Sequence, residues 1–325
     1  MKRTILLTGK TGQLGSELLR SLPRLGEVIA PNRNELDHRD PESIRLVMRD
    51  VKPQLVINAA AYTAVDAAET DEAGALAVNA EGPQVLALEA KKVGAPLIHF
   101  STDYVFDGSK NIPYVESDSP NPLNAYGRTK LAGEEAIRNS GADHLIFRTS
   151  WVYATNGRNF LLTILRLATE REELKIVDDQ TGAPTCARDL AESTVKVLAR
   201  AIGRTQEPIA FSNFNGIYHA TAAGQTTWYE FAKAILEEAA RAPRNLSWLT
   251  AATNGRPIIA RRVLPISTRS FGLPAHRPAY SVLSNARLLQ IFGVTLPDWR
   301  IQLEKCFSPD ATPAPTPLTS LHSSQ

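Results

Sequence analysis

The feature that most narrows the folds open to this chain is a seven-residue turn near its start, Gly9-Lys10-Thr11-Gly12-Gln13-Leu14-Gly15. It follows a short apolar run, Ile5-Leu6-Leu7-Thr8, and leads into a segment whose leucines at 14, 18, 19 and 22 recur with helical spacing. Strand, glycine turn, helix is the order in which a parallel α/β sheet presents a helix N-terminus to a pyrophosphate. Glycine at 9, 12 and 15 permits the tight turn, the close backbone approach and the close helix packing, and Thr11, Gln13 and Leu14 belong to the same cradle. A nucleoside-triphosphate loop is excluded, because the glycine it needs five residues before Gly9 is Thr4.

The rest of the first half repeats the strand-then-helix order. Residues 27–30 read as the second strand and end in Pro31-Asn32-Arg33. In a dinucleotide fold an acid at this tip selects NAD, whereas a base accommodates the 2′-phosphate of NADP. With Arg33 there and no acid, the reading is NADPH, with NADH the other admissible donor. Asp40-Pro41 starts a helix over 43–51, and Asp37 and His38 before it line the adenine pocket or serve as loop polars. Residues 55–58 form a third strand that runs into Ala59-Ala60-Ala61-Tyr62, small residues against which a flat ligand lies. A helical region over 71–92 carries Asn79, counted with the cofactor residues. The fourth strand, 97–100, ends in Ser101-Thr102-Asp103-Tyr104, and the fifth covers 144–148. His99, inside an apolar run, reads as a hydrogen-bonded core histidine ahead of a catalytic one.

This alternation predicts an α/β protein, a Rossmann-type doubly wound parallel sheet with right-handed crossovers. At 325 residues and 43% hydrophobic content, the chain has apolar surface for that core and for a smaller C-terminal substrate-binding lobe. The expected division is 1–153 for the dinucleotide-binding part, 154–307 for the lobe with segments returning to the core, and a disordered Pro-, Thr- and Ser-rich tail over 308–325. Lys and Arg (36) nearly balance Asp and Glu (34), so no pull toward nucleic acid or an anionic membrane follows. The apolar run after Met1-Lys2-Arg3 is too short for a signal segment or a span, and a cytoplasmic protein is expected. Cys186 and Cys306 are far apart and share no metal-ligand spacing, which reads as two reduced structural thiols and no metal site.

One further pair carries chemistry. Tyr126 and Lys130 stand four apart in a helical segment, so both side chains share a face and the ammonium can activate the phenol. Lowering a phenol by roughly three pH units to reach neutrality asks about 4 kcal/mol of positive charge. Alone, the same spacing is a solvated pair.

Gly9-x-x-Gly12-x-x-Gly15, Asn58-Ala59-Ala60-Ala61, the run Ser101 to Phe106, Tyr126-x-x-x-Lys130 and the run Phe147 to Tyr153 occur together here. In combination they resemble the extended short-chain dehydrogenase/reductase superfamily. Within it the chain is similar to the dTDP-4-dehydrorhamnose reductase family over roughly residues 3–300, with Asp178 to Thr185 and Tyr218-His219 to Trp228 also matching. The resemblance implies an NAD(P)H-dependent oxidoreductase that reduces the C4 ketone of dTDP-6-deoxy-L-lyxo-4-hexulose. Tyr126 would donate the proton, Thr102 would orient the ketone oxygen, and Lys130 would bind the nicotinamide ribose. Asp103, Tyr104 and Trp151 would meet the sugar nucleotide, although Trp151 reads equally as a buried structural residue.

Relatives with other chemistry set the alternatives. Dehydratases carry a second acid after the threonine, and here Tyr104 follows Asp103. Epimerases favour an acid at the second strand tip, where this chain has Asn32-Arg33. A non-catalytic dinucleotide-binding regulatory subunit would not need the Thr102, Tyr126 and Lys130 set. Some family members bridge subunits with a divalent cation held by glutamates. Glu17 matches one such position, but Arg188 replaces another, which argues against Mg2+ and leaves a monomer or a homodimer open. Arg256, Arg261, Arg262, Arg269 and Arg277 form a basic stretch that meets the substrate diphosphate or solvent.

Overall fold

A computed structural model of the protein describes residues 3–202, 211, 213–243 and 245–308. The expected tail therefore lies, but for Ser308, outside the described residues. Five strands come from the first half: β1 (Thr4–Thr8), β2 (Glu27–Ile29), β3 (Leu55–Asn58), β4 (Leu97–Thr102) and β5 (His144–Thr149). A sixth, Gly216–His219, returns from the second half. All pair in parallel in the order Gly216–His219, β5, β4, β3, β1, β2. The order reverses between β1 and β3, so a crevice opens at their carboxyl ends, where such sheets bind ligands.

The unbroken apolar runs have a simple cause: both faces of the sheet are covered. Ile5, Leu7, Leu55, Ile57, Leu145 and Phe147 face one cluster, and Leu6, Val56, Leu97 and Ile146 face the other. The first is closed by α1 (Gln13–Ser21) and the helix Ala187–Ile202, the second by α2 (Pro41–Val51) and the helix Gly82–Val93. α2 starts as its sequence predicts, with the Asp40 side chain accepting the Glu42 N–H and Pro41 in the first turn. The region expected as one helix over 71–92 is instead Glu72–Leu76, a π-helical stretch Ala77–Glu81, and Gly82–Val93. Apolar periodicity cannot reveal such a bulge, which re-aims Asn79.

The helix Ala125–Ser140 bears Tyr126 and Lys130. Asn124 caps it, its Oδ1 accepting the Gly127 N–H at 2.8 Å, and Gly141 ends it. Glu134 on this helix and Arg148 on β5 form a buried two-pronged ion pair, with Arg148 Nε and Nη2 at 2.9 and 2.6 Å from the carboxylate oxygens. Removing either partner would strand a buried charge, at a cost of about 3–5 kcal/mol. The pair thus fixes the helix against the sheet.

A third hydrophobic cluster gathers the helices Phe160–Ala168, Trp228–Arg241 and Trp299–Cys306 beside the sheet. Here the arginine stretch is not a loop throughout. Arg262–Ile266 is a strand paired in parallel with Glu173–Val177, Arg262 binds Glu173 at 2.8 Å, and Arg277 binds Asp66 at 2.7 Å. Cys186 and Cys306 are free and buried, and the fold brings their sulfurs to 3.7 Å despite the sequence distance. Among the described residues, no helix is long and apolar enough to cross a membrane, and no group of side chains has a metal-site arrangement. Glu17 is buried and ion-paired with Arg20.

Candidate active site

A cleft of about 770 Å³ opens at the carboxyl edge of the sheet, between the strand ends and the lobe. The glycine turn forms its floor. Gly9 has φ +76°, and a Cβ there would lie 2.5 Å from the Ala60 nitrogen, so the turn and the Ala59-Ala60-Ala61 segment touch backbone to backbone. Gly12, the N-cap of α1, brings no side-chain acceptor and leaves the first-turn N–H groups for an anion. Thr11, Gln13 and Leu14 line the cleft, whereas Gly15 does not. Its place is inside the turn, where a Cβ would come within 1.9 Å of the Gly9 oxygen. Gly15 therefore shapes the cradle without lining it.

At the β2 end, Lys10, Arg33 and Arg39 all line the cleft. Lys10 Nζ donates to the Ala30 oxygen at 2.6 Å. Burial would raise the Asp37 carboxyl, but the Arg39 N–H and the Arg33 guanidinium, 2.9 and 3.3 Å from it, hold it below its ordinary value. The acid in this corner is thus engaged, and the cations remain. Ala59, Ala60, Ala61 and Tyr62 form the opposite wall, and His38 reaches the cleft from behind. Asn79, expected at the cofactor, stands one layer back. Its side chain accepts the Tyr62 N–H at 2.9 Å, donates to the Tyr62 oxygen at 3.1 Å and donates to Thr129 at 3.1 Å. The residue positions the wall and is not part of the lining.

Thr102, Asp103, Tyr104, Tyr126, Lys130 and Trp151 all line the other end. Thr102 Oγ donates to Asp103 at 3.0 Å and accepts the Tyr104 N–H at 3.1 Å. Burial pushes Asp103 up to about 6, although the Ser281 and Thr102 hydroxyls draw it down. Tyr126 is pushed up to about 12 by burial, with Thr102 opposing and Asp103 adding to the rise. Lys130 makes no hydrogen bond to the phenol. Lys130 Nζ donates instead to the Phe100 oxygen at 2.6 Å and meets His99 Nε2 at 3.1 Å. Burial pulls Lys130 down to about 8 against the nearby charge of Glu134. Asp103 Oδ2 and the Ser101 and Thr149 hydroxyls are buried with no hydrogen-bond partner, a group of orphaned polar atoms at the strand ends that a polar ligand would satisfy.

Two indole rings also line the cleft. Trp151 holds φ +46° and stacks on Trp228, with ring centroids 3.5 Å apart and planes 5° from parallel. Trp228 Nε1 donates to Gln180 at 3.1 Å. Gly157 and Arg158 also line the cleft, and Asn159 donates to Gln13 at 2.7 Å, tying the lobe to the glycine turn.

Glycine cradle, hydroxyl, tyrosine and lysine share one cleft, and the family model for the RmlD substrate binding domain matches residues 1–311. This chain belongs to that family. Two of its similar relatives are the dTDP-4-dehydrorhamnose reductases of Burkholderia thailandensis and Escherichia coli. The first is 50% identical over 302 residues, 93% of this chain and 97% of that protein; the second is 42% identical over 305 residues, 93% and 96%. Among solved structures, the dTDP-4-dehydrorhamnose reductase of Bacillus anthracis in complex with NADP superposes with a TM-score of 0.81 at 34% identity, covering 94% of this chain and 98% of that one.

Family membership leaves individual residues to be found, and sequence reasoning missed several. Lys10 and Arg39 were concealed in turns whose charges look like surface charges until β2 places them. Trp228 opens a helix 77 positions after Trp151 and gave no sign of stacking on it. Arg256, Arg261 and Arg269 are not in the lining, which draws its arginines from 33, 39 and 158.

Proposed function

We propose that this chain reduces the C4 ketone of dTDP-6-deoxy-L-lyxo-4-hexulose to give dTDP-L-rhamnose, with NADPH as electron donor. The observation that carries this reading is the convergence of Thr102, Tyr126 and Lys130 with the glycine cradle in one cleft. Relatives 42–50% identical over 93% of the chain that are dTDP-4-dehydrorhamnose reductases support it.

The residues fit the dinucleotide. Gly9, Gly12 and the first turn of α1 would hold the pyrophosphate, Lys10, Arg33 and Arg39 would meet the 2′-phosphate, and Ala59 to Tyr62 would wall the bound molecule in. When bound, its nicotinamide supplies the hydride to C4. The resulting alkoxide needs a proton, and Tyr126 delivers it. Reduction requires a protonated phenol, and one pushed up to about 12 stays protonated at neutral pH. Thr102 is positioned to bond the same oxygen once its hydroxyl turns from Asp103. Trp151 and Trp228 present apolar faces to the sugar. The division near residue 153 into a dinucleotide part and a substrate lobe belongs to the same proposal.

Supplying the 4-keto sugar nucleotide is expected to oxidise NADPH in equal amounts. Tyr126→Phe should lower kcat about 100- to 10,000-fold while NADPH affinity stays near wild type. Tight NADPH binding with no oxidation would favour the regulatory reading instead.

A further inference from the structure

Outside the cleft, the lobe buries two nucleophilic side chains that the reduction does not use. Cys186 ends the short strand Thr185–Cys186 and immediately precedes the helix Ala187–Ile202, and Cys306 is the last residue of the helix Trp299–Cys306. They are 120 positions apart in the chain, and their sulfurs are 3.7 Å apart. Cys186 is 4% exposed and Cys306 2%. A thiol that merely fills a core needs no polar company, and free cysteines are commonly buried for packing alone. Here the polar company is specific.

The two sulfurs sit in different surroundings. The backbone N–H groups of Arg188 and Asp189, in the first turn of a 16-residue helix, point at Cys186 Sγ. Donors at a helix N-terminus favour a thiolate over a thiol. The Cys306 thiol adds a third donor, and together these contacts hold Cys186 below its ordinary value against the opposing effect of burial. The same thiol contact, with burial, pushes Cys306 well up. The Asp189 carboxylate, which disfavours a charge on Cys186, is engaged by Lys305 at 3.1 Å. One more group faces the pair. The Tyr153 hydroxyl is buried, has no hydrogen-bond partner, and lies in the field of both sulfurs.

We infer that Cys186 and Cys306 form an oxidation site, at which hydrogen peroxide is reduced and the two side chains close into a disulfide. A low-lying thiolate beside a second thiol is the arrangement that such chemistry requires. The inference stands apart from the proposed ketone reduction. Cys186, having lost its proton to solvent, attacks one peroxide oxygen, so that an S–O bond forms as the O–O bond breaks. The departing hydroxide takes the Cys306 proton and leaves as water. The Cys306 thiolate then attacks the Cys186 sulfur, the S–S bond forms, the S–O bond breaks, and the second hydroxide regains a proton from solvent. Two thiols are oxidised by two electrons, and one peroxide becomes two waters. Bond formation asks the sulfurs to approach by roughly 1.7 Å. Burial shuts out bulky disulfides such as oxidised glutathione and leaves an oxidant little larger than water. The product joins the helix Trp299–Cys306 to a strand that pairs with Val152–Tyr153, directly after Trp151.

The test uses the full-length reduced protein, folded and without dinucleotide or sugar. It is exposed to hydrogen peroxide, the excess is destroyed with catalase, remaining thiols are alkylated in urea, and the digest is read by mass spectrometry. The expected product is a peptide pair joined through Cys186 and Cys306, lighter by two hydrogens than the free peptides and separated by a thiol reductant. Thiols that survive peroxide in the folded protein and react only when urea is added first would overturn the inference. Sulfinic acid in place of the cross-link, or disulfides between chains, would overturn it equally. Two variants check the order of events. In Cys306→Ser, peroxide should add oxygen to Cys186; in Cys186→Ser, Cys306 should take up oxygen at least about tenfold more slowly. Equal rates would overturn the role given to Cys186. If either serine variant does not fold, the alanine variant is read in the same way, and the cross-link in the wild-type chain needs no variant. A failed NADPH-oxidation assay would sink the proposed reaction and leave these measurements standing.

Discussion

The two walls of the cleft are held by different means. On the sheet side, each chemical group is attached to the end of a buried parallel strand and fixed by backbone contact: Gly9 against Ala60, Thr102 at the end of β4, and the tyrosine helix locked by Glu134 and Arg148. On the lobe side, Trp151, Arg158 and Trp228 come from turns and a helix start, joined by one ring stack and single hydrogen bonds such as Asn159 to Gln13. The sheet wall is set by register and tolerates little. The lobe wall is set by packing at loops and can adapt to what it covers.

That contrast fails if substitutions on the two walls cost alike. The largest effect is expected at Gly9→Ala, where a positive φ and a 2.5 Å clash with the Ala60 nitrogen coincide. NADPH affinity should fall at least ~100-fold and stability by about 3 kcal/mol, read by titration and urea unfolding. Next comes Asp103→Asn, which tests burial on the same wall. Because the folded carboxyl is raised from 3.8 to about 6, its contribution to stability is fully present below 3.8 and is lost as pH rises through about 6. The asparagine variant should gain on wild type by up to about 3 kcal/mol between about pH 4 and pH 7, and the absence of any gain would place Asp103 in solvent. Arg33→Ala should lower the NADPH-over-NADH ratio of kcat/KM about tenfold, and an unchanged ratio would hand the 2′-phosphate to Lys10 and Arg39. The smallest effect belongs to the lobe. Trp228→Ala should raise KM for the sugar nucleotide roughly fivefold with NADPH affinity within about twofold. A larger loss there than at Gly9 would invert the comparison.

The same contrast explains what was legible in the sequence. The sheet wall announced itself because a doubly covered strand must be continuously apolar and the turn after it must be glycine-rich, so Gly9 to Gly15, Ala59 to Tyr62 and Thr102 to Tyr104 could be placed by counting. Asp40-Pro41 and Asn124 marked helix starts for equally local reasons. Side-chain direction was not local. Tyr126 and Lys130 share a helix face as their spacing implies, yet the lysine nitrogen turns to Phe100 and His99, because the fold supplies those partners only when β4 lies beneath. Asn79 was assigned to the cofactor and proves to brace Tyr62, since a π-helical stretch rotates it out of the helical register. Trp228 had no neighbour in sequence to betray its partner.

Two of the four tryptophans lie face to face, 3.5 Å apart and 5° from parallel. Indoles so close are expected to couple their excited states and to emit weakly. Offset or edge-on contact is the arrangement rings ordinarily prefer, so little holds this sandwich against a ligand that slides along either ring. A sugar that displaces one indole would collapse the couplet and brighten the fluorescence, so the lobe carries its own optical gauge of occupancy, readable without a label and before any turnover begins.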